Sequence, residues 1–354
     1  MFMAFKIVLH GATNWGSSNY GDYIYTAMIY NYLLKKGFRV RCFQPSSYFL
    51  KNLKDYNIQK NFQISTMDAL VYLPGGYFGE GHNARLIDNL IQWIRFIPIG
   101  LWAAIKNKPI AILGIGAGPL NFFPLKFAVK YICRHASLIT TRDEYSYNTL
   151  KTLCPSNQFI SESFDLIIAE NNLINYEDNS SVNHPILLVH YNHSHEALKK
   201  FAYATKKFKK EHPEYKVVVS SDQILKNDRI LFDEFRCISQ ISDCVFHQYT
   251  TSEEMTELIS QSNLILTSKL HVGVVGAVMG KSVISVPCHP EKTMRFYSEI
   301  GESVRCLALD TSSPDEIFNT MEKYRLERIS INQRFVALAE LTWKLFDKFL
   351  TDLK

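Results

Sequence analysis

The residues with the most capacity for chemistry lie between Leu264 and Pro287, in LILTSKLHVGVVGAVMGKSVISVP. A short apolar run, Leu264 to Leu266, ends in Thr267, Ser268 and Lys269, and His271 then opens a helix of small residues that Gly280 closes. A second strand, Ser282 to Val286, follows at once. Strand, cation, helix N-terminus is a way to hold an anion. The N–H groups of the first helical turn have no partner inside the helix, and the helix dipole adds partial positive charge. Lys269 brings a full charge to that spot and His271 a titratable group.

The first half of the chain offers a second set. Lys6 to Gly11 reads as a strand ending in glycine, and Asn19, Gly21 and Asp22 lead into a helix running to about Lys36. Asn19 and Asp22 suit either a ligand site or the cap of that helix, because both uses draw on the same residue types at the same place. Ala69 to Leu73 is a strand ending in Pro74-Gly75-Gly76, where two glycines permit a close backbone approach to a ligand or a tight turn. Ser137 to Thr141 ends in Arg142-Asp143, which begins a further helix. Arg142 would point a forked, permanently charged donor at the carboxyl edge of the sheet, a geometry suited to phosphate or carboxylate. Pairing with a neighbouring acid at the helix start is the alternative; ligand contact is favoured, since ligands bind at the open edge of such sheets. Gly114-Ile115-Gly116-Ala117-Gly118-Pro119 resembles a dinucleotide fingerprint, but it comes late and a proline interrupts it, so a nicotinamide cofactor is rejected.

His190, His193 and His195 cluster at a strand end with no acidic ligand at matching spacing, so a polar cleft rim is favoured over a metal site. Seven scattered cysteines form no C-x-x-C pair and read as buried, reduced thiols. No metal and no cofactor is expected.

The elements that position these residues follow from length and pattern. At 354 residues, two domains of about 150 each are expected. A hydrophobic content of 47% against 21% charged residues is that of a folded globular chain. The formal charge of +5 suits an anionic substrate or a membrane face and excludes the dense basic surface of a nucleic-acid binder. No signal peptide is read at the N-terminus. Phe96 to Ile105 is the greasiest run outside the strands; at ten residues it is too short to span a bilayer, and a buried helix is favoured over a membrane-surface contact. It belongs to a helical stretch from about Arg85 to Lys106 that Pro98 should kink or divide. Alternation of strand and helix then gives a domain over 1–169, a polar and acidic linker over 170–184, and a second domain over 185–330. The latter's last strands are expected at Cys244 to Tyr249, Ser282 to Val286 and Val304 to Leu309. A terminal helix over 331–354 carries an apolar stripe that must bury against something, with the first domain as the candidate. The fold class is α/β: two doubly wound, Rossmann-like domains facing across a cleft, a GT-B-like arrangement.

Ser268-Lys269-Leu270-His271, the small-residue helix, Gly280-Lys281-Ser282, and Glu291-Lys292 ahead of Phe296 and Gly301 together resemble the C-terminal signature of the polysaccharide pyruvyl transferase family. Asn19, Gly21 and Asp22 resemble its N-terminal motif. Gly75, Gly76 and Phe78, the 114–119 glycine run, and Arg142-Asp143 with Ser146 fall in the family's order between them. Lys269 stands where arginine is usual in that family and Ser282 where proline is. Tyr191-Asn192 occupies a strand end where many relatives place an arginine.

The resemblance implies transfer of pyruvate from phosphoenolpyruvate onto two hydroxyls of a sugar, giving a cyclic ketal and phosphate. It makes Lys269, Arg142 and Lys292 candidates for binding the donor's phosphate and carboxylate. His271 becomes the candidate acid, base or phosphate stabiliser. Asp22 becomes the residue that orients or deprotonates an acceptor hydroxyl, with Asn19, Gly75 and Gly76 lining the acceptor side. The acceptor would belong to a cell-surface polysaccharide or its precursor, lipid-linked in one version, with the enzyme in the cytoplasm or at the inner face of the membrane. Two other readings stay open: a nucleotide-sugar glycosyltransferase on the same architecture, and a non-catalytic relative acting as a binding protein.

Overall fold

Apolar runs too short for a helix and rich in Ile, Val and Leu become strands, buried on both faces because helices cover the sheets they join. The computed structural model describes residues 5–54, 63–80, 85–170, 184–191, 194–224, 227–288 and 290–353. The chain divides into two units, Met1–Ser18, Asp22–Ala169 and Arg334–Lys354 in one, Asn19–Gly21 and Glu170–Gln333 in the other. Of the segment expected as a linker, residues 171–183 lie outside the described residues.

Unit 1 runs β1 (Lys6–His10), α1 (Tyr20–Lys35), β2 (Arg39–Cys42), α2 (Ser47–Asn52), β3 (Ala69–Tyr72), β4 (Gly75–Phe78), α3 (Leu86–Phe96), α4 (Pro98–Ile105), β5 (Ile110–Ala117), α5 (Phe123–His135), β6 (Leu138–Thr141), α6 (Glu144–Leu153) and β7 (Ile160–Ser161). Its strands are all parallel in the order β2-β1-β3-β5-β6-β7, with β4 pairing β5 off that path. Residues of α3, α4 and α5 share one core cluster with Leu70, Tyr72, Ile110 and Ile112 of the strands. Pro98 divides the α3–α4 stretch as expected, since its ring cannot continue the ladder of the preceding turn. α4 is the buried helix predicted for the apolar run, with Ile99, Gly100, Ala103 and Ala104 in the core.

Unit 2 runs β8 (Ile186–His190), α7 (His195–Glu211), β9 (Lys216–Ser220), α8 (Asp228–Ser239), β10 (Val245–His247), α9 (Ser252–Gln261), β11 (Leu264–Thr267), α10 (Leu270–Val278), β12 (Ser282–Ser285), α11 (Pro290–Glu299) and α12 (Pro314–Tyr324). Its parallel order is β10-β9-β8-β11-β12. The order reverses between β8 and β11, which opens a crevice at their carboxyl ends. The final helix, α13 (Gln333–Asp352), belongs to unit 1 from Arg334 onward. Trp343 lies against Tyr32 of α1 at 4.6 Å, Lys36 pairs with Asp347 at 2.8 Å, and Phe335 meets Phe164 at 4.6 Å. The terminal helix thus packs on the first unit, as its apolar stripe required.

Three expectations are corrected. Gly75 and Gly76 are not a turn but the start of β4, where the ring of Tyr77 occupies the space a Cβ on Gly75 would need. Val304 to Leu309 forms no strand. The Arg305 N–H bonds the Glu302 carbonyl at 2.9 Å and the Cys306 N–H that of Ser303 at 3.1 Å, so Ser303–Arg305 is 3₁₀; the buried Arg305 guanidinium also binds the Glu302 carboxylate at 2.7 Å, and one bridge joins Cys306 to Ser285. The strand at Cys244 to Tyr249 is shortened to Val245–His247.

Candidate active site

In unit 2 the residues that end neighbouring strands meet at the carboxyl edge of the sheet. His190, Ser220, Thr267 and Ser285 stand in register across the sheet, all buried. A Thr267 hydroxyl fixes the next turn: it accepts from the Lys269 N–H at 3.1 Å and meets His190 Nδ1 at 3.1 Å. Lys269 then occupies the N-cap position of α10 with extended backbone and no side-chain hydrogen bond to the first turn, which places its ammonium-bearing side chain at the positive end of the helix dipole. α10 sits close on the sheet because Gly276 lets it approach; a Cβ there would lie 2.8 Å from Ile265.

The residue that organises this edge is Asp222, two positions past the end of β9 and 4% exposed. Its carboxylate accepts from Asn19 Nδ2 at 2.8 Å, stands 3.5 Å from the Lys269 ammonium and 3.8 Å from His190 Nε2. Its backbone carbonyl accepts from the Tyr20 N–H at 2.9 Å. Burial pushes this carboxyl up, but Lys269, His190 and His271 oppose that and hold it below the ordinary carboxylate range. His271, on the first turn of α10, lies against Gly21. A Cβ on Gly21 would fall 1.8 Å from His271 Nδ1, so only glycine leaves room for the imidazole. Tyr20 completes this contact by bonding Thr256 at 2.8 Å.

Asn19, Lys269 and His271 are therefore brought together in unit 2, around an aspartate that the sequence reading did not select. Its signal was present: Ser220-Ser221-Asp222 is a polar run at a strand's carboxyl end, the same position that singled out Arg142. Lys292 is half-buried on the first turn of α11 in the same unit. His190 is no rim residue but fully buried, His195 is exposed and pairs with Glu234 at 3.1 Å, and His193 lies outside the described residues. Tyr191 is buried and stacks on Phe235 at 5.9 Å.

Unit 1 holds the other candidates. Arg142 Nε meets Asp143 at 3.3 Å, while the other oxygen of Asp143 caps α6 by accepting from the Ser146 N–H at 2.7 Å. The neighbouring-acid pairing weighed for Arg142 is thus present. Its guanidinium lies over Gly116, where a Cβ would come within 2.6 Å of it, so the glycine run makes room for an arginine. Behind it Tyr25 donates to Asp165 at 2.7 Å, and burial raises the Asp165 carboxyl. Asp22 accepts from the Ser17 hydroxyl at 3.4 Å, and its charge acts on Arg95 and Tyr77. Arg95, unselected in the sequence, is clamped by Asn14 through Oδ1 at 2.7 Å and through its carbonyl at 3.1 Å. Gly76 gives its carbonyl to Gln92 at 3.0 Å.

Six of the seven cysteines are buried or half-buried as expected, and Cys237 is exposed; none is in a disulfide. No helix among the described residues is long and apolar enough to cross a membrane.

A family model described as polysaccharide pyruvyl transferase matches residues 19–290. No curated protein matches the chain. Among solved structures, the UDP-GlcNAc 2-epimerase of Neisseria meningitidis bound to UDP-GlcNAc is similar over 99% of this chain and 100% of its own, with TM-score 0.66 at 12% identity. The Methanocaldococcus jannaschii UDP-GlcNAc 2-epimerase in complex with UDP-GlcNAc and UDP covers 98% and 100%, with TM-score 0.62 at 14% identity. MurG of Acinetobacter baumannii covers 96% and 94%, with TM-score 0.52 at 13% identity. At these identities the likeness is one of fold, and it is the two-domain α/β fold of GT-B enzymes.

Proposed function

The chain belongs to the polysaccharide pyruvyl transferase family, and from that membership we propose that it transfers pyruvate from phosphoenolpyruvate to two hydroxyls of a sugar. The observation that carries the reading is the arrangement of Lys269, His271 and the start of α10 at the reversal point of the unit 2 sheet. Phosphoenolpyruvate is a small, dense anion, and a lysine at the N-terminus of a helix is suited to it. Asp222 holds Lys269 at the strand edge, so the ammonium meets the donor from a fixed position rather than from a mobile side chain. Lys292 and Arg142 are further candidates for the donor's charges.

In the reaction a proton adds to the donor's methylene carbon, C2 gains cationic character, and one sugar hydroxyl attacks it. The second hydroxyl attacks as phosphate leaves. One hydroxyl proton replaces the one delivered to carbon and the other departs with phosphate, so the ketal forms without oxidant or reductant. We assign the proton delivery or phosphate stabilisation to His271, and the orientation of an acceptor hydroxyl to Asp22 with Asn19. The acceptor class is a sugar, and a lipid-linked precursor in the cytoplasm fits the proposal.

The test is thermal unfolding with millimolar phosphoenolpyruvate, for the parent protein and for Lys269→Ala and His271→Ala. A ligand that binds the native state raises the midpoint by mass action. A rise in the parent that Lys269→Ala abolishes is expected, together with phosphate release when an acceptor is supplied and its loss in His271→Ala. Stabilisation by a UDP-sugar and none by phosphoenolpyruvate would replace this reading with glycosyl transfer. No response to either would leave a binding protein.

A further inference from the structure

On unit 1, α3 is an amphipathic helix turned inside out. It buries Asn89 and Phe96, while Leu86, Ile87, Leu90, Ile91 and Ile94 stand 39% to 65% exposed. At 100° per residue those five aliphatics cover one continuous arc of about 140°. The adjacent helix α5 repeats the anomaly in aromatic form. Phe123 is 74% and Phe127 63% exposed, their rings 6.3 Å apart, with Lys126, Lys130 and Arg134 on the same outward side. Both helices seat their inner residues in one core cluster, so their outer faces turn away from the sheet together. Scattered exposed apolar residues need no account, but a contiguous field of this kind marks a surface that something covers.

Charge says what covers it. From Arg85 to His135 the chain carries seven Lys and Arg and one acidic residue, Asp88. Of those seven cations, Lys126, Lys130 and Arg134 share the outward side of α5 with Phe123 and Phe127, and α5 carries no acidic residue, whereas Arg95 is held by Asn14. A second copy would bury the apolar field, but a two-fold interface places the same patch on both partners and would bring Lys126, Lys130 and Arg134 of each copy into it with no acidic residue of α5 to oppose them. An anionic bilayer answers both features, taking apolar side chains at the boundary of headgroups and acyl chains and cations at the lipid phosphates. Trp15, 55% exposed with the Arg95 guanidinium 5.7 Å over its ring, sets an amphipathic ring beside the last turn of α3.

We propose that the outward face of α3 and α5 docks on the surface of an anionic membrane. Flotation of the full chain with vesicles of pure phosphatidylcholine, and of phosphatidylcholine with about one-third phosphatidylglycerol, tests this without donor or acceptor, so it stands or falls apart from the pyruvyl-transfer reading. The parent protein is expected to float with the anionic vesicles at least tenfold more strongly than with the neutral ones, and to be released by salt. The pairs Phe123→Ser with Phe127→Ser and Ile87→Gln with Ile91→Gln remove exposed side chains only. Each should lower binding at least tenfold while keeping the parent's circular dichroism and melting midpoint. Absence of vesicle binding, or binding indifferent to both pairs, overturns the proposal. So does a parent protein that elutes as a dimer and a Phe pair variant that elutes as a monomer, since a second copy would then be the occupant.

Discussion

A single buried residue, Asp222, gathers a lysine, an asparagine and a histidine around its carboxylate and holds the Tyr20 N–H with its main-chain carbonyl. Hydrogen bonds to charged groups contribute about 1.5–3 kcal/mol each. Asp222→Asn keeps the shape but removes the charge that fixes Lys269. The kcat/KM of the proposed reaction should therefore fall roughly 10- to 100-fold, read from the rate of phosphate release. An unchanged rate would make Asp222 a purely structural anchor. Lys269 and His271 were legible in the sequence because they are neighbours at a recognisable junction of strand and helix. Asp222 was not, because its meaning lies in partners far along the chain: Asn19 is 203 residues away. The same holds for Gly21, whose lack of a side chain is explained only by His271.

Elements were legible where pattern and punctuation agreed. Pro98 split a helix, Gly37 and Gly280 ended two, and the alternation of unit 2 matched its five strands in order but added one at Val304 to Leu309 that does not form. Helices α2, α5 and α12 went unread. α5 exposes phenylalanines where an amphipathic helix would show polar residues, which blurs its period. β4 went unread because two glycines give no β signal, and only pairing with β5 makes them a strand. The end of β1 supplies a pH dependence. His10 is fully buried, with Nε2 3.0 Å from the Phe96 carbonyl, an arrangement that suits the neutral ring with its proton on Nε2. Burial is the main reason its pKa is lowered to about 4. Between that value and the ordinary 6.5, the unfolded chain binds a proton that the folded chain does not, so stability is full above pH 6.5 and declines as pH falls toward 4. Unfolding free energies from denaturant titrations at pH 7 and pH 4.5 should differ by roughly 2–3 kcal/mol more in the parent than in His10→Gln. Equal pH dependence in the two proteins would show that His10 is not the group responsible.

At the scale of the whole molecule, the chain leaves unit 1 after Ala169 and returns to it at Arg334, so one helix at the far end of the sequence belongs to a core begun at β1. The apolar stripe of α13 predicted that it buries, and the contacts to Tyr32, Phe164 and Ser163 give it a place. Phe346 is fully buried there, and replacing a buried phenylalanine with alanine costs about 3–5 kcal/mol through lost transfer energy and the cavity left behind. Phe346→Ala should therefore lower the stability of unit 1 by that order, although the residue lies more than 300 positions after β1 in the chain. Amide hydrogen exchange resolved by segment is the measurement. Protection should fall in α1 and in β1 to β3, against which the strands β8, β9 and β11 of unit 2 serve as the internal reference. Unaltered protection in α1 would mean that α13 contributes nothing to the core on which it lies. A fall confined to α1 and α13 would mean that the terminal helix is an outer layer, which opens without unfolding the sheet beneath.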